Sequence, residues 1–472
     1  MNRKVVIDPV TRVEGHGRVT IHLDEYGKVH DSFFHIVEFR GFERFIQGHP
    51  YWEAPVLVQR LCGICPVSHH LAAAKAIDQL VGIDPEDLSP AAFKLRKLMH
   101  YAQIFQSHAL HFFYLASPDL LFGADAPVDK RNVFAVAVAD KELARKGILM
   151  RKFGQEIIQV IAGKKIHGVA AVPGGVHHPF TIKDRDYFLN GDLIPMRFMK
   201  GYHEKNRAWL DTFAAFPSGH LGMVDDQGNL ELYHGKLRAI DNEGKITLPD
   251  VSTNDYLKYF TEGVERWSYM KFPYLKEIGR EHGWNRVGPI ARLNICNAIP
   301  TPLAEKERQE YIAFSGQKVN NSTLYSHWAR LIEILHCAEV IKMLLHDEDI
   351  LNDDLVREGV KRLEGIGIIE APRGTLTHHY QVDEKGMITR CNLIVSTTHN
   401  NEAMNQAVRW VANNVISQKG TITDGMLNQV EVAIRAYDPC LSCATQALGQ
   451  MPLKLEIYNH LDELIGEHVK GE

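Results

Sequence analysis

The 472-residue chain has no apolar run of the roughly 18 residues needed to cross a bilayer, and its longest candidate, 133–139, falls far short. A protein not integral to a membrane is expected. Positive charge is also not in excess: 53 Lys and Arg stand against 58 Asp and Glu, a net charge of -5. A phosphate backbone or an anionic bilayer calls for clustered cations, so no nucleic-acid partner is expected. Cysteine is sparse and odd in number at seven, which does not suit a disulfide framework and leaves metal or redox chemistry as the better reading. Repeats, low-complexity tracts and Pro/Ser linkers are missing, so no domain boundary suggests itself. The N-terminus starts basic, but Asp8 and Pro9 interrupt any secretory apolar core, and a cytoplasmic protein is expected.

What is present is globular: 45% hydrophobic and 24% charged residues. The length suits three domains of about 150 residues or one large helical domain. Apolar and polar residues alternate over 18–38 on both sides of Asp24-Glu25-Tyr26-Gly27, which predicts a β-hairpin, and similar turn signals recur at Gly228, Gly244 and Gly386. Helical periodicity dominates elsewhere. Ser89-Pro90 places an N-cap and a first-turn proline before a run over 91–116, and further runs cover 141–162, 324–346, 402–418 and 426–436. The expected fold is mainly α with small antiparallel β-sheets (α+β), as a single domain over 1–446 with a C-terminal extension at 447–472.

Two CxxC pairs lie near opposite ends: Leu61-Cys62-Gly63-Ile64-Cys65-Pro66 and Asp438-Pro439-Cys440-Leu441-Ser442-Cys443. Both read as helix N-termini, with Pro66 and Pro439 at first helical positions and Asp438 as an N-cap. A positive helix end favours the thiolate, the form that binds metal. Cysteines three apart share one face of a turn, so each pair can offer two sulfurs to one centre. A zinc ribbon would set its pairs within about 20 residues of each other, whereas here 66–439 lie between them. No thioredoxin-like βαβ pattern surrounds either pair. Spacing admits a shared tetrathiolate site and leaves zinc, nickel and iron open. Cys296, Cys337 and Cys391 have no metal spacing and read as buried apolar residues.

Arg12-Val13-Glu14-Gly15-His16, the Cys62 pair followed by His69, Glu370-Ala371-Pro372-Arg373-Gly374 and the 438–443 segment, in this order, resemble the large, catalytic subunit of nickel-iron hydrogenases. Glu38-Phe39-Arg40-Gly41-Phe42-Glu43, Ser117-Pro118-Asp119-Leu120-Leu121-Phe122-Gly123 and Leu149-Met150-Arg151-Lys152-Phe153-Gly154-Gln155-Glu156 resemble its cytoplasmic NAD-reducing, bidirectional branch. The resemblance implies that Cys62, Cys65, Cys440 and Cys443 hold nickel, and that Cys65 and Cys443 also bridge to an iron carrying CO and cyanide. Cys440 is then the first proton acceptor from H2 and Glu14 the group that passes the proton on. Taken singly, Glu14 reads as an exposed loop acid.

By the same resemblance Arg373, next to Pro372, overhangs the open coordination position. Asp119 and Asp438 belong to the same canopy and pair with Arg373. Thr397 hydrogen-bonds a cyanide, with Ser396 as a second hydroxyl candidate, although Thr397 also reads as a strand-end threonine. His69 bonds a bridging sulfur. Glu43 and Gln446 are expected to hold a Mg2+-like ion, with Gln446 standing where the family usually has histidine. His16, His70, His177 and His178 stay unassigned.

Without an iron-sulfur motif of its own, the chain is expected to pass electrons to a small subunit bearing an iron-sulfur cluster, and onward to diaphorase subunits with FMN and NAD. A maturation endopeptidase is expected to cut after Gln446, making 447–472 a maturation tail. The activity implied is reversible heterolytic cleavage of H2. Alternatives are a subunit feeding heterodisulfide reductase or a deazaflavin, a non-turnover H2 sensor, and a relative of the quinone-binding subunit of respiratory complex I, which lacks the four cysteines.

Overall fold

The computed structural model describes residues 3–189, 204, 206–446, 453–459 and 464–470. The N-terminal alternation makes a three-stranded antiparallel sheet of β1 (Arg3–Ile7), β2 (Gly17–Leu23) and β3 (Val29–Ile36), with Val19 opposite Phe34 and Thr20 opposite Phe33. Val19, Ile21, Phe34 and Ile36 face inward with no exposed surface, as a period of two requires.

Helix α1 (Pro66–Leu80) is buried along all its 15 residues. Helix α2 (Pro90–Leu110) starts where predicted, with Ser89 Oγ accepting from Ala92 N at 3.2 Å. The predicted run to 116 continues as one π-helical stretch, His111–Ala116, a widened turn that periodicity does not reveal. Helix α3 (Lys141–Ala162) crosses α2 closely because Gly154 carries no side chain: a Cβ there would sit 2.7 Å from the Ala102 carbonyl oxygen.

A second antiparallel sheet runs through β4 (Gly219–Val224), β5 (Lys236–Ile240) and β6 (Ile246–Ser252), and a two-residue parallel pairing of Asn285–Arg286 with β4 extends it. Helices α4 (Pro289–Ile295) and α5 (Ser326–Leu345) follow. Strands β7 (Glu364–Ala371), β8 (Gly374–Val382) and β9 (Ile388–Ile394) form the third principal sheet. It packs against α1 through glycine: a Cβ on Gly365 or Gly367 would stand 2.0 Å from the carbonyl oxygens of Ala76 or Ala72. Helices α6 (Asn401–Val411) and α7 (Asp424–Arg435) complete the helical layer. The fold is thus mainly helical with small sheets, as expected.

One buried apolar cluster includes Val5, Cys62, Cys65, Cys440, Cys443 and Ala444, so both ends of the chain enter the same core. The backbone interlaces them: Leu441 N donates to Glu14 O at 2.9 Å, Arg40 N to Thr445 O at 3.1 Å and Glu43 N to Gln446 O at 3.1 Å. Beyond Gln446, strands Leu453–Tyr458 and Leu464–Lys470 pair antiparallel. The expected cleavage point immediately after Gln446 lies outside the described residues.

Candidate metal centre

The two CxxC pairs converge. The Sγ atoms of Cys62, Cys65, Cys440 and Cys443 lie within 4.8 Å of one another, all four residues buried and none in a disulfide. Sulfur separations are 2.8 Å for Cys440 to Cys443, 3.3 Å for Cys62 to Cys440 and 3.8 Å for Cys65 to Cys443.

Each pair is presented differently. Cys65 occupies the N-cap of α1 with Pro66 at the first helical position, as predicted, and the N–H groups of Ile64 and Cys65 point at Cys62 Sγ at 3.2 and 3.3 Å. The second pair departs from the prediction. Asp438 is no N-cap, since its φ is +53°, and only a 3-10 turn, Ser442–Ala444, follows. The N–H groups that would open a helix are already taken: Cys440 N donates to Thr397 Oγ1 at 3.0 Å, Leu441 N to Glu14 O, and Ser442 N to Glu14 Oε2 at 3.1 Å. Tertiary acceptors have replaced the helix.

Half-buried Glu14 also accepts from Cys440 Sγ at 3.0 Å, so its carboxyl sits against one sulfur of the cluster. Arg373 and Pro372 are the two turn residues between β7 and β8, whose last pair is Ala371 with Gly374. The buried guanidinium donates from Nε to Asp438 O at 2.7 Å and from Nη2 to Asp438 Oδ1 at 3.1 Å, leaving Nη1 buried without a partner. Ser396 Oγ donates to Gly374 O at 2.7 Å, on the next residue of that turn. Thr397 lies beside Ser396 in a short helix, Ser396–His399, just past β9.

Asp119 does not pair with Arg373. Its carboxylate is shared by Arg12, with Nη2 at 2.6 Å from Oδ1, and by Arg435, while Arg373 takes Asp438. Asp119 therefore ties α7 to the strand of chain that carries Glu14. His69, one turn after Cys65, helps hold that thiol low, and its Nδ1 lies 3.1 Å from His378 Nε2, which continues to Tyr380 OH at 2.7 Å from His378 Nδ1. Sequence reasoning misses that extension, although alternate residues of one strand share a face, and His378 and Tyr380 are two apart.

Glu43 and Gln446 are neighbours through the Glu43 N to Gln446 O bond. Burial pushes Glu43 up to about 7 although Leu393 N donates to its Oε1 at 2.7 Å. The Gln446 amide is tied to backbone, accepting from Phe42 N at 3.3 Å and donating to Ser442 O at 2.7 Å and Cys443 O at 2.9 Å.

The donor set suits a soft or borderline cation. Hydrogen bonds from Cys440, Cys443 and Cys62 hold Cys65 well below the usual thiol range, while burial pushes Cys440 and Cys443 well above it. Buried thiolates this close repel one another, a cost that a cation among the sulfurs would offset. The unpartnered Arg373 Nη1 marks a buried donor without an acceptor beside the same cluster. Cys296, Cys337 and Cys391 are buried and apart from it, as expected.

A family model described as nickel-dependent hydrogenase matches residues 40–130 and 225–446, and one described as HoxL-like matches 4–39. The chain belongs to the nickel-dependent hydrogenase family. It is 50% identical, over the whole of both chains, to the beta subunit of the NAD-reducing hydrogenase HoxS of Cupriavidus necator. It is 41% identical to a chain of the vhc F420-non-reducing hydrogenase of Methanococcus voltae, covering 96% of this chain and 97% of the relative. A crystal structure of an NAD+-reducing [NiFe]-hydrogenase in the H2-reduced state superposes with a TM-score of 0.90 at 51% identity, covering 94% of this chain and 99% of that one. The Ni-Fe-Se hydrogenase of D. vulgaris Hildenborough shares the fold, with a TM-score of 0.74 at 22% identity over 94% of this hydrogenase and all of the other. Among the described residues no helix is long and apolar enough to cross a membrane.

Proposed function

We propose that this chain is the catalytic subunit of a nickel-iron hydrogenase that splits H2 reversibly into two protons and two electrons and feeds the electrons, through a small iron-sulfur subunit, to an NAD(P)-reducing flavin module. The observation that carries the reading is the convergence of four buried thiols with the Glu14 carboxyl on Cys440 Sγ. Cys62, Cys65, Cys440 and Cys443 would hold a nickel-iron centre with CO and cyanide on iron, which would supply the Lewis acid that a molecule as weakly acidic as H2 requires.

The chain's own residues supply the rest. Cys440 Sγ takes the first proton and hands it along its 3.0 Å contact to Glu14 Oε2, which Ser442 N–H keeps aimed at the sulfur. Arg373, anchored by two bonds to Asp438, leaves Nη1 free to face the reacting molecule or a diatomic ligand, and Pro372 stiffens its turn. Thr397 and Ser396 fix the Cys440 backbone and the Gly374 carbonyl, and theirs are the hydroxyls that would hydrogen-bond a cyanide. His69, one turn after Cys65, would donate to that sulfur, and Asp119 steadies the Glu14 segment through Arg12. Glu43 and the Gln446 amide are the proposed Mg2+ donors; the backbone bond from Glu43 N to Gln446 O joins the two segments that carry them.

The catalytic domain is taken as 1–446, and 447–472 as the tail removed by a maturation endopeptidase. A cytoplasmic assembly is part of the same proposal, in keeping with the likeness to the NAD-reducing HoxS subunit. The similarity to F420-non-reducing hydrogenase subunits keeps a second acceptor in view. H2-dependent reduction assayed on the purified complex decides: NAD+ reduction is expected, whereas reduction of artificial acceptors alone would reject the NAD-linked reading and no turnover with any acceptor would favour an H2 sensor.

A further inference from the structure

The turn that carries Arg373 is gripped from beneath by another arginine. Arg292, on α4, has no exposed side-chain surface. Its Nη1 donates to Ala371 O at 2.9 Å and its Nη2 to Pro372 O at 3.3 Å, the two carbonyls immediately before Arg373. Its remaining donors go to carboxylates: Nε and Nη2 to Glu333 at 2.6 Å each, and Nη1 to Glu370 Oε2 at 2.8 Å. All five N–H groups of the guanidinium are thereby used. The carboxylates are themselves held, Glu333 by His108 Nε2 at 2.8 Å and Glu370 by Thr375 Oγ1 at 2.6 Å. Gly288, at the N-cap of α4, lets the helix approach, because a Cβ there would meet the Arg373 carbonyl oxygen at 2.9 Å.

We propose that Arg292, clamped between Glu333 and Glu370, is a positioning residue that fixes the Pro372–Arg373 turn so that the Arg373 guanidinium stays over the four-cysteine centre. This rests on the proposed hydrogenase function of that centre. A two-residue turn with proline in it has few ways to shift except as a rigid unit, and its carbonyls are the handles on that unit. A planar fork can hold two carbonyls and two carboxylates together, whereas an ammonium is a point charge with three donors. Arg292→Lys keeps the buried charge and releases part of the grip. A displacement of about 1 Å at a reacting centre costs on the order of 100-fold in rate.

The test compares Arg292→Lys, Arg373→Lys and the double variant in the assembled complex, with nickel content measured for each and crystal structures of the single Arg292→Lys variant and the parent. Expected are parental nickel content, a kcat for H2 lowered about 100-fold, loss of the 2.7 Å contact between Arg373 Nε and Asp438 O, and little further loss when Arg292→Lys is added to Arg373→Lys. Losses that multiply in full, or an unmoved Arg373, overturn the proposal. Should Arg292→Lys fail to assemble, Glu370→Gln loosens the same clamp while keeping an oxygen acceptor, and the same two readouts decide. A parent complex that binds only zinc would instead defeat the hydrogenase reading, and the position of Arg373 in the crystal would still judge the clamp.

Discussion

Glu14 shows how one side chain can be both ordinary and decisive. Its carboxyl lies in a loop, half-buried, and accepts from a thiol and from Ser442 N–H at once. Glu14→Gln keeps size and acceptor capacity but cannot take a proton, and proton relays of this kind contribute about 100-fold or more. The expected outcome is a fall of that order in H2 turnover with nickel content unchanged; unchanged turnover would remove Glu14 from the proton path. Thr397→Val tests a different quantity. It strips the acceptor from the buried Cys440 N–H, and an unsatisfied buried donor costs about 1–3 kcal/mol, to be read as a lower urea midpoint.

Among the elements, what sequence can and cannot reveal divides along physical lines. The 18–38 hairpin and the helices at 90–110 and 141–162 follow from local periodicity and from Ser89, so they are legible. Ser89→Ala should cost about 1 kcal/mol of stability, measurable by chemical denaturation. Gly367→Ala should lower the melting temperature more, because its methyl would collide with the Ala72 carbonyl oxygen at 2.0 Å and force α1 off the sheet. The 438–443 segment defeats a local reading because Asp-Pro is a strong helix-start signal, while the acceptors that cancel it, Glu14 and Thr397, are remote in sequence. Asp119 meets partners other than the expected one for a similar reason: nothing local tells an aspartate which of several buried arginines it will meet. Arg292 and Glu333 carry one usable sign, a charge inside an apolar helix, but no spacing that names a partner.

At the scale of the whole molecule, the folded core encloses an unusual number of neutral imidazoles. Burial lowers His70, His100, His108 and His336 from 6.5 to about 4, and His220 to about 3. The unfolded chain therefore binds protons that the fold excludes, and stability present above pH 6.5 is lost as pH falls from there toward 4, by about 1 kcal/mol per histidine per pH unit. Glu333 adds a later loss. Burial would raise it, but Arg292 and His108 outweigh that and hold it at about 2, so its contribution drains away below 4.5. Urea midpoints should drop steeply between pH 7 and 5; a flat profile would contradict the neutral buried histidines.

The same core is where Cys62 and Cys65 meet Cys440 and Cys443, so segments far apart in sequence supply halves of one buried sulfur cluster. This cluster is proposed to hold nickel and iron. Metal analysis of the complex purified from nickel-supplied cells tests it most directly. Nickel and iron are predicted in the large subunit, with nickel lost in Cys62→Ser and Cys440→Ser; zinc alone, or nickel retained by both variants, would contradict the account.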